Sequence, residues 1–186
     1  MSHSNTQKSR EERALVEGEI LYKGKIIELF KERITYEDGA LHHWEIVRHP
    51  GAVVILPVDE EENVYLVKQW RRPIGKIILE IPAGTLEAGE PPLECAKREI
   101  QEEIGYRADK WSPLGGFYSA PGFCNEYLHF FLAESLSESS LEGDEHEAID
   151  VVKMPIEEAL ALVDNREIED LKTLYALLAY RRMEKM

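Results

Sequence analysis

Three glutamates, Glu99, Glu102 and Glu103, crowd the end of a helix-like segment that stops at Gly105. Carboxylates at a helix C-terminus oppose its partial negative charge. Like charges at i,i+3 and i,i+4 also repel, by roughly 0.2–0.5 kcal/mol per pair. A solvated acidic face would tolerate this, and Glu94–Arg98 and Arg98–Glu102 do offer ordinary i,i+4 ion pairs. A divalent cation turns the same repulsion into binding, because Mg²⁺ takes hard oxygen ligands and keeps several waters. Glu99 and Glu103 stand one helical turn apart on one face, with Glu102 at its edge. The chemistry this spacing predicts is metal binding.

These carboxylates need a helix to hold them. Pro91 and Pro92 suit its first turn, where missing N–H groups cost nothing. Leu93, Ala96, Ile100 and Ile104 form an apolar stripe, and Gly105 ends it. Around the helix lie strand-like runs: "GAVVILPV" (51–58), apolar enough to be buried on both faces, "VYLVKQW" (64–70), "KIILEIPAG" (76–84), "GGFYS", "EYLHFFLA" (126–133) and "AIDVVKM". Asp38-Gly39 marks a hairpin turn in a β-rich N-terminal stretch. "PIEEALALVDN" and a helix from about Arg166, striped by Ile168, Leu171, Leu174, Tyr175 and Leu178, close the chain. Strands mixed with helices in this way predict an α/β (α+β) fold, an α/β/α sandwich around a mixed sheet. Residues 1–13 read as a disordered tail, 14–48 as a small β extension and 49–186 as one catalytic domain.

The 186 residues, 44% of them hydrophobic, suffice for a full core. A net charge of −14 with no basic stripe argues against partners such as nucleic acid or an anionic membrane. Cys95 and Cys124 are isolated thiols, which fits a reducing compartment. No signal-like apolar start and no run of 18 apolar residues occurs, so a cytoplasmic location is expected. His42, His43, His49, His129 and His146 are scattered and form no metal set.

Gly84, Glu90 and "REIQEEIGY" together match the signature of the Nudix hydrolases, G-x5-E-x7-R-E-U-x-E-E-x-G-U, at every fixed position. Seven fixed residues meet by chance on the order of once per million such chains at average residue frequencies, so the match is specific. Tyr106 is a slightly polar occupant of the last apolar position. The resemblance implies the Nudix sandwich fold and metal-dependent hydrolysis of a nucleoside diphosphate linked to another group. It makes Glu99 and Glu103 ligands of Mg²⁺ or Mn²⁺, with Glu102 a third and the Ala83 carbonyl joining them. Arg98 and Glu90 would orient the carboxylates.

The flanks "QWRRPIGKIILEIPAG", "YSAPGFCNE" and "HHWEIVRHPGAV" resemble the ADP-ribose pyrophosphatase branch of that family, including Pro121, sixteen residues beyond Gly105. "FCNE" departs from the usual small and hydroxyl residues of that loop. The branch implies ADP-ribose as substrate, cleaved to AMP and ribose 5-phosphate, and an intertwined homodimer built through the N-terminal strands. Arg71 can pair with a diphosphate in bidentate fashion, Trp44 can stack on adenine, and Arg48 can neutralise phosphate. Glu80 and Glu126 are candidates for ribose hydroxyls or the outer metal shell, while Arg72 reads as surface charge. In the branch, acids on a loop like "LEGDEHEAID" (141–150) close over the substrate. Glu145 is thus the favoured general base and Glu147 an auxiliary metal ligand, with the roles exchangeable, and Glu80, Glu102 and Glu126 are the further candidates for the base; Asp144 lies beside Glu145 and Gly143 is a hinge candidate. GDP-mannose or another nucleoside diphosphate sugar is the rival substrate. A non-catalytic ADP-ribose-sensing module is the rival of another class, although this box has lost no carboxylate.

Overall fold

The computed structural model describes residues 3–141 and 149–184. It forms two compact units, one up to Pro50 with Tyr118–Tyr127, the other Gly51–Phe117 with the chain from Leu128 onward.

In the first unit, helix α1 (His3–Glu12) stands where a disordered tail is expected. Its sequence is polar all round, so periodicity could not reveal it. Tertiary contacts hold it instead: Arg10 pairs with Asp38 at 3.2 Å, and the Tyr36 hydroxyl donates to Glu11 at 3.0 Å. Strands β1 (Leu15–Lys23), β2 (Glu28–Thr35) and β3 (Leu41–Arg48) follow as an antiparallel sheet in that order. The expected turn joins β2 to β3, with Gly39 at φ +81° and the Asp38 carboxylate accepting the Ala40 N–H. The segment 118–127 runs beside β3, where the Val47 N–H donates to the Phe123 carbonyl and the Asn125 N–H to the Val47 carbonyl.

The second unit contains β4 (Ala52–Pro57), β5 (Asn63–Arg71), β6 (Lys76–Glu80), β7 (Ala83–Thr85), α2 (Pro92–Glu103), β8 (Tyr106–Tyr118), β9 (Tyr127–Glu138), β10 (Ile149–Pro155), α3 (Ile156–Asp164) and α4 (Leu171–Met183). One sheet has the order β7-β4-β9-β8 and another β10-β5-β6. β4 runs parallel to β9 and antiparallel to β7, so the sheet is mixed as expected. Alternate β4 residues serve two cores. Val54 and Leu56 pack with Phe130, Leu132, Leu160 and Leu177, whereas Val53 and Ile55 pack with Ala96, Ile100 and Ala133. A strand buried on both faces between α2 and the α3/α4 pair explains the unbroken apolar run and makes the sandwich.

Two element boundaries depart from expectation. The run 76–84 is not one strand: it breaks at Ile81-Pro82, and β7 crosses to pair with β4. Pro82 has no N–H for a ladder, but its carbonyl accepts from Ile55 at 2.9 Å. Helix α4 begins at Leu171 rather than near Arg166, because the Asp170 side chain caps it by accepting the Thr173 N–H at 3.0 Å. Its buried face is Thr173, Ala176 and Leu177, while Leu171 and Leu178 of the expected stripe are exposed. Helix α2 keeps its expected stripe, with Cys95 rather than Leu93 fully buried beside Ala96 and Ile100.

Candidate active site

Helix α2 and the β6–β7 junction bring the box residues together. The Ala83 N–H donates to Glu103 Oε2 at 3.0 Å, so β7 orients that carboxylate. Glu99 lies against Gly84 so closely that a Cβ there would sit 1.8 Å from Glu99 Cδ. Only glycine leaves this seat open.

Arg98 organises the remaining acids. Its Nε and Nη2 bind Glu90 at 3.0 and 3.1 Å, a bidentate pair across the loop before α2. Its Nη1 donates to Glu99 Oε1 at 2.7 Å and to Glu102 Oε2 at 2.9 Å. The Arg98 hydrogen bonds lead in holding the Glu90 carboxyl down to about 2. The Cys95 thiol beside this network is pushed up to about 12, first by burial and then by Glu90, so it is no thiolate nucleophile.

Three carboxylates on one helix, one seated by a glycine and one by a backbone amide, are a hard-oxygen donor set that suits a hard divalent cation. Among the described residues no three His, Cys, Asp or Glu side chains already converge as an ion-holding group, and the Arg98 guanidinium bridges Glu99 and Glu102.

Arg71 and Glu80 are joined to each other. Arg71 Nε and Nη2 donate to Glu80 Oε1 and Oε2 at 2.5 and 2.7 Å. Lys172 at the start of α4 also donates to Glu80 Oε2. Glu80 is 1% exposed. Burial works against its ionisation, but the Arg71 hydrogen bonds and the Lys172 charge prevail and hold its carboxyl below the ordinary range. Glu80 is therefore an anchor for Arg71, not a group open to ribose hydroxyls, since both oxygens are engaged inside the protein. Arg71 keeps donors beyond the two that serve Glu80, and Glu80 leads in raising its pKa, with smaller contributions from the charges of Glu103 and Asp170. Lys172, Asp170 and Thr173 escape a sequence reading. Asp170 three residues before Thr173 at a helix start was the available signal, an N-cap pattern.

The other substrate candidates lie in the first unit. Trp44 on β3 is 45% exposed and opposite Glu32. Arg48 stacks over Phe30 at 3.4 Å and reaches Glu32 at 3.6 Å. Pro121 is exposed. Glu126 lies 3.6 Å from His49 Nδ1, and the His49 N–H donates to Asn125 Oδ1 at 2.7 Å. Glu145 and Glu147, like Gly143 and Asp144, lie outside the described residues. The chain just before them is pinned to the end of α2 and the turn after it: the Leu141 N–H donates to the Gln101 carbonyl and the Ser139 N–H to that of Gly105.

Comparison with known proteins agrees with the box. The family model described as NUDIX domain matches residues 47–177. The chain is 45% identical over 172 residues to the ADP-ribose pyrophosphatase of Bacillus subtilis (strain 168), covering 91% of this chain and 92% of that protein. It is 36% identical over 168 residues to the methanol dehydrogenase activator of Bacillus methanolicus, covering 89% and 91% respectively. A solved structure described as an ADP compounds hydrolase superposes with a TM-score of 0.81 at 22% identity, covering 93% of this chain and 95% of its own, a likeness of fold. The intact box, the sandwich that presents it and the match over residues 47–177 place the chain in the Nudix family, as a pyrophosphohydrolase.

Proposed function

We propose that the protein hydrolyses the diphosphate of ADP-ribose to AMP and ribose 5-phosphate with the help of a divalent cation. The observation that carries this is the seating of Glu99 against Gly84 and of Glu103 on the Ala83 amide. Glu99, Glu102, Glu103 and the Ala83 carbonyl would hold Mg²⁺ (or Mn²⁺), with Glu147 as an auxiliary ligand. A divalent cation bound there polarises phosphoryl oxygens and lowers the pKa of water. The chain's own residues do the rest. Arg98 and Glu90 hold the carboxylates in place, Arg71 binds the diphosphate, and Trp44 and Arg48 take the adenine and phosphate. Pro121 and Glu126 shape the recognition loop.

The identity with a Bacillus subtilis ADP-ribose pyrophosphatase supports the choice of substrate. A panel of ADP-ribose, GDP-mannose and related compounds with Mg²⁺, read by chromatography, should give ADP-ribose the highest kcat/KM. Arg71→Ala should raise its KM about tenfold or more through loss of a charged hydrogen-bonded contact. A higher kcat/KM for GDP-mannose overturns the substrate, and binding of ADP-ribose without turnover would favour a sensing module.

The box acids are assigned to metal, so the base comes from the acidic loop, with Glu145 favoured and Glu147 interchangeable with it. Glu145→Gln should cut kcat about a hundredfold with KM little changed, the range of general base catalysis. Near-normal kcat in both single Gln variants would move the base elsewhere.

We also propose that residues 14–48 dimerise. β1 is exposed along its whole length and pairs only with β2 among the described strands. It presents Leu15, Val16, Ile20, Leu21 and Tyr22 to solvent, an edge that proteins normally cover. A symmetric pair would let Trp44 or Arg48 of one subunit serve its partner's site. Sedimentation at micromolar concentration should show twice the 21.4 kDa chain mass, and a fully active monomer would refute the dimer.

A further inference from the structure

We infer that Lys172 and Glu80 are positioning residues that fix both the direction and the net charge of Arg71 toward a diphosphate, an inference resting on the function proposed above. Glu80 is 1% exposed, and a carboxylate taken so far out of water needs compensation. Arg71 alone would provide it, since its Nε and Nη2 reach both oxygens. In that arrangement the two charges would cancel, and the guanidinium would attract an anion weakly.

Lys172 changes the balance. Its Nζ shares Glu80 Oε2 with Arg71 Nη2, so two cations serve one buried carboxylate. The lysine side chain is only 15% exposed, so its charge is poorly screened where it meets Glu80. Lys172 also bonds Asp170 Oδ1 at 3.0 Å, but Asp170 turns its other oxygen to the start of α4, where the Thr173 N–H donates at 3.0 Å. The positive end of the helix dipole partly offsets that acid. With Lys172 sharing Glu80, Arg71 neutralises less of that carboxylate by itself, and its side chain is 39% exposed while Glu80 is sealed, so the guanidinium turns more of its charge outward. Glu80, which anchors the guanidinium, stands three residues before Ala83, whose amide seats Glu103.

The same turn of α4 also fixes backbone. Thr173 Oγ1 accepts the Ile81 N–H at 2.8 Å, between Glu80 and the Ala83 amide that seats Glu103. The stretch Asp170–Thr173 therefore sets the charge behind Arg71 and the path of the strand that reaches the box acids.

Lys172→Gln isolates the charge, because the amide still offers Glu80 a donor. It should raise KM about tenfold for whichever nucleoside diphosphate compound the wild type cleaves, while kcat changes far less. Lys172→Arg should restore KM. In an Arg71→Ala background, Lys172→Gln should add nothing, since the lysine acts only through Arg71. The double variant Glu80→Gln/Lys172→Gln removes both buried charges and leaves Arg71 cationic, so its KM should return toward the wild-type value. That pair keeps the test decisive should the single variant fold poorly. A KM within twofold of wild type for Lys172→Gln, or full additivity with Arg71→Ala, overturns the inference. A purely structural lysine would lower Tm and leave KM unmoved. If the wild type cleaves no compound in the panel, the proposed function fails, and ADP binding by calorimetry decides the role of Lys172 by the same comparison.

Discussion

Glu103→Gln is expected to lower kcat by about 10³ with the fold intact, the scale of losing several kcal/mol of charge stabilisation in the transition state. Glu103 is held at its Oε2 by the Ala83 N–H. A glutamine carbonyl can accept the same hydrogen bond, so β7 and the end of α2 keep their geometry. The negative charge is what disappears, and a neutral amide is a poorer ligand for a hard divalent cation. The opposite sign is expected for stability without metal. Removing one of three crowded acids at a helix C-terminus relieves repulsion of roughly 0.2–0.5 kcal/mol per pair. Steady-state kinetics across a Mg²⁺ titration, with thermal melts in EDTA, would show a large fall in kcat beside an equal or higher Tm. Full turnover by the wild type in excess EDTA would defeat metal dependence altogether.

Gly84→Ala should also cost about 10³ in kcat, through displacement of a charged ligand rather than its removal. The added Cβ would meet Glu99 Cδ at 1.8 Å, its Oε1 at 2.0 Å and its Cγ at 2.2 Å, distances no packing tolerates. All three atoms belong to the far end of one flexible side chain. Glu99 can therefore swing away at little cost to the fold, giving up its bond to Arg98 Nη1. The expected signature is separation of the two effects: a small change in Tm with nearly complete loss of activity. Higher Mg²⁺ should recover part of the rate if the displaced carboxylate can still be recruited. An active Gly84→Ala enzyme would show that Glu99 does not need its seat. A variant that unfolds would show that the backbone, not the side chain, had to give way.

The box was legible because its chemistry is written into local spacing. Glu99 and Glu103 share a helix face by the 3.6-residue period alone, and Gly84, Glu90 and Arg98 lie within a short reach of them along the chain. The mixed sheet was legible in outline for a related reason. A strand such as Ala52–Pro57, buried on both faces, must be apolar at every position, and no solvated element needs that. The helix over His3–Glu12 was not legible, because a polar segment carries no period and its support comes from Tyr36 and Asp38 on another element. The start and buried face of α4 differ from the leucine stripe for the complementary reason. Leucines at helical spacing mark a stripe, yet packing chose Thr173, Ala176 and Leu177 and left Leu171 and Leu178 outside.

Residue type marks both Arg71 and Glu80 for contact with a ligand, and a sequence has no means of showing that they contact each other. Their pairing depends on β5 and β6 lying side by side, with Val67 opposite Glu80 and Arg71 opposite Lys76. The partner that completes the pair, Lys172, is 92 residues from Glu80 along the chain. A surface lysine and a buried counter-ion are the same letter in a sequence. What the sequence determined by itself was the family, the reaction class and the carboxylates of the box, all matters of residue type and local spacing. Which charges are buried against which, Arg71 and Lys172 against Glu80 among them, was decided by tertiary packing, because only packing removes the water that would otherwise screen them.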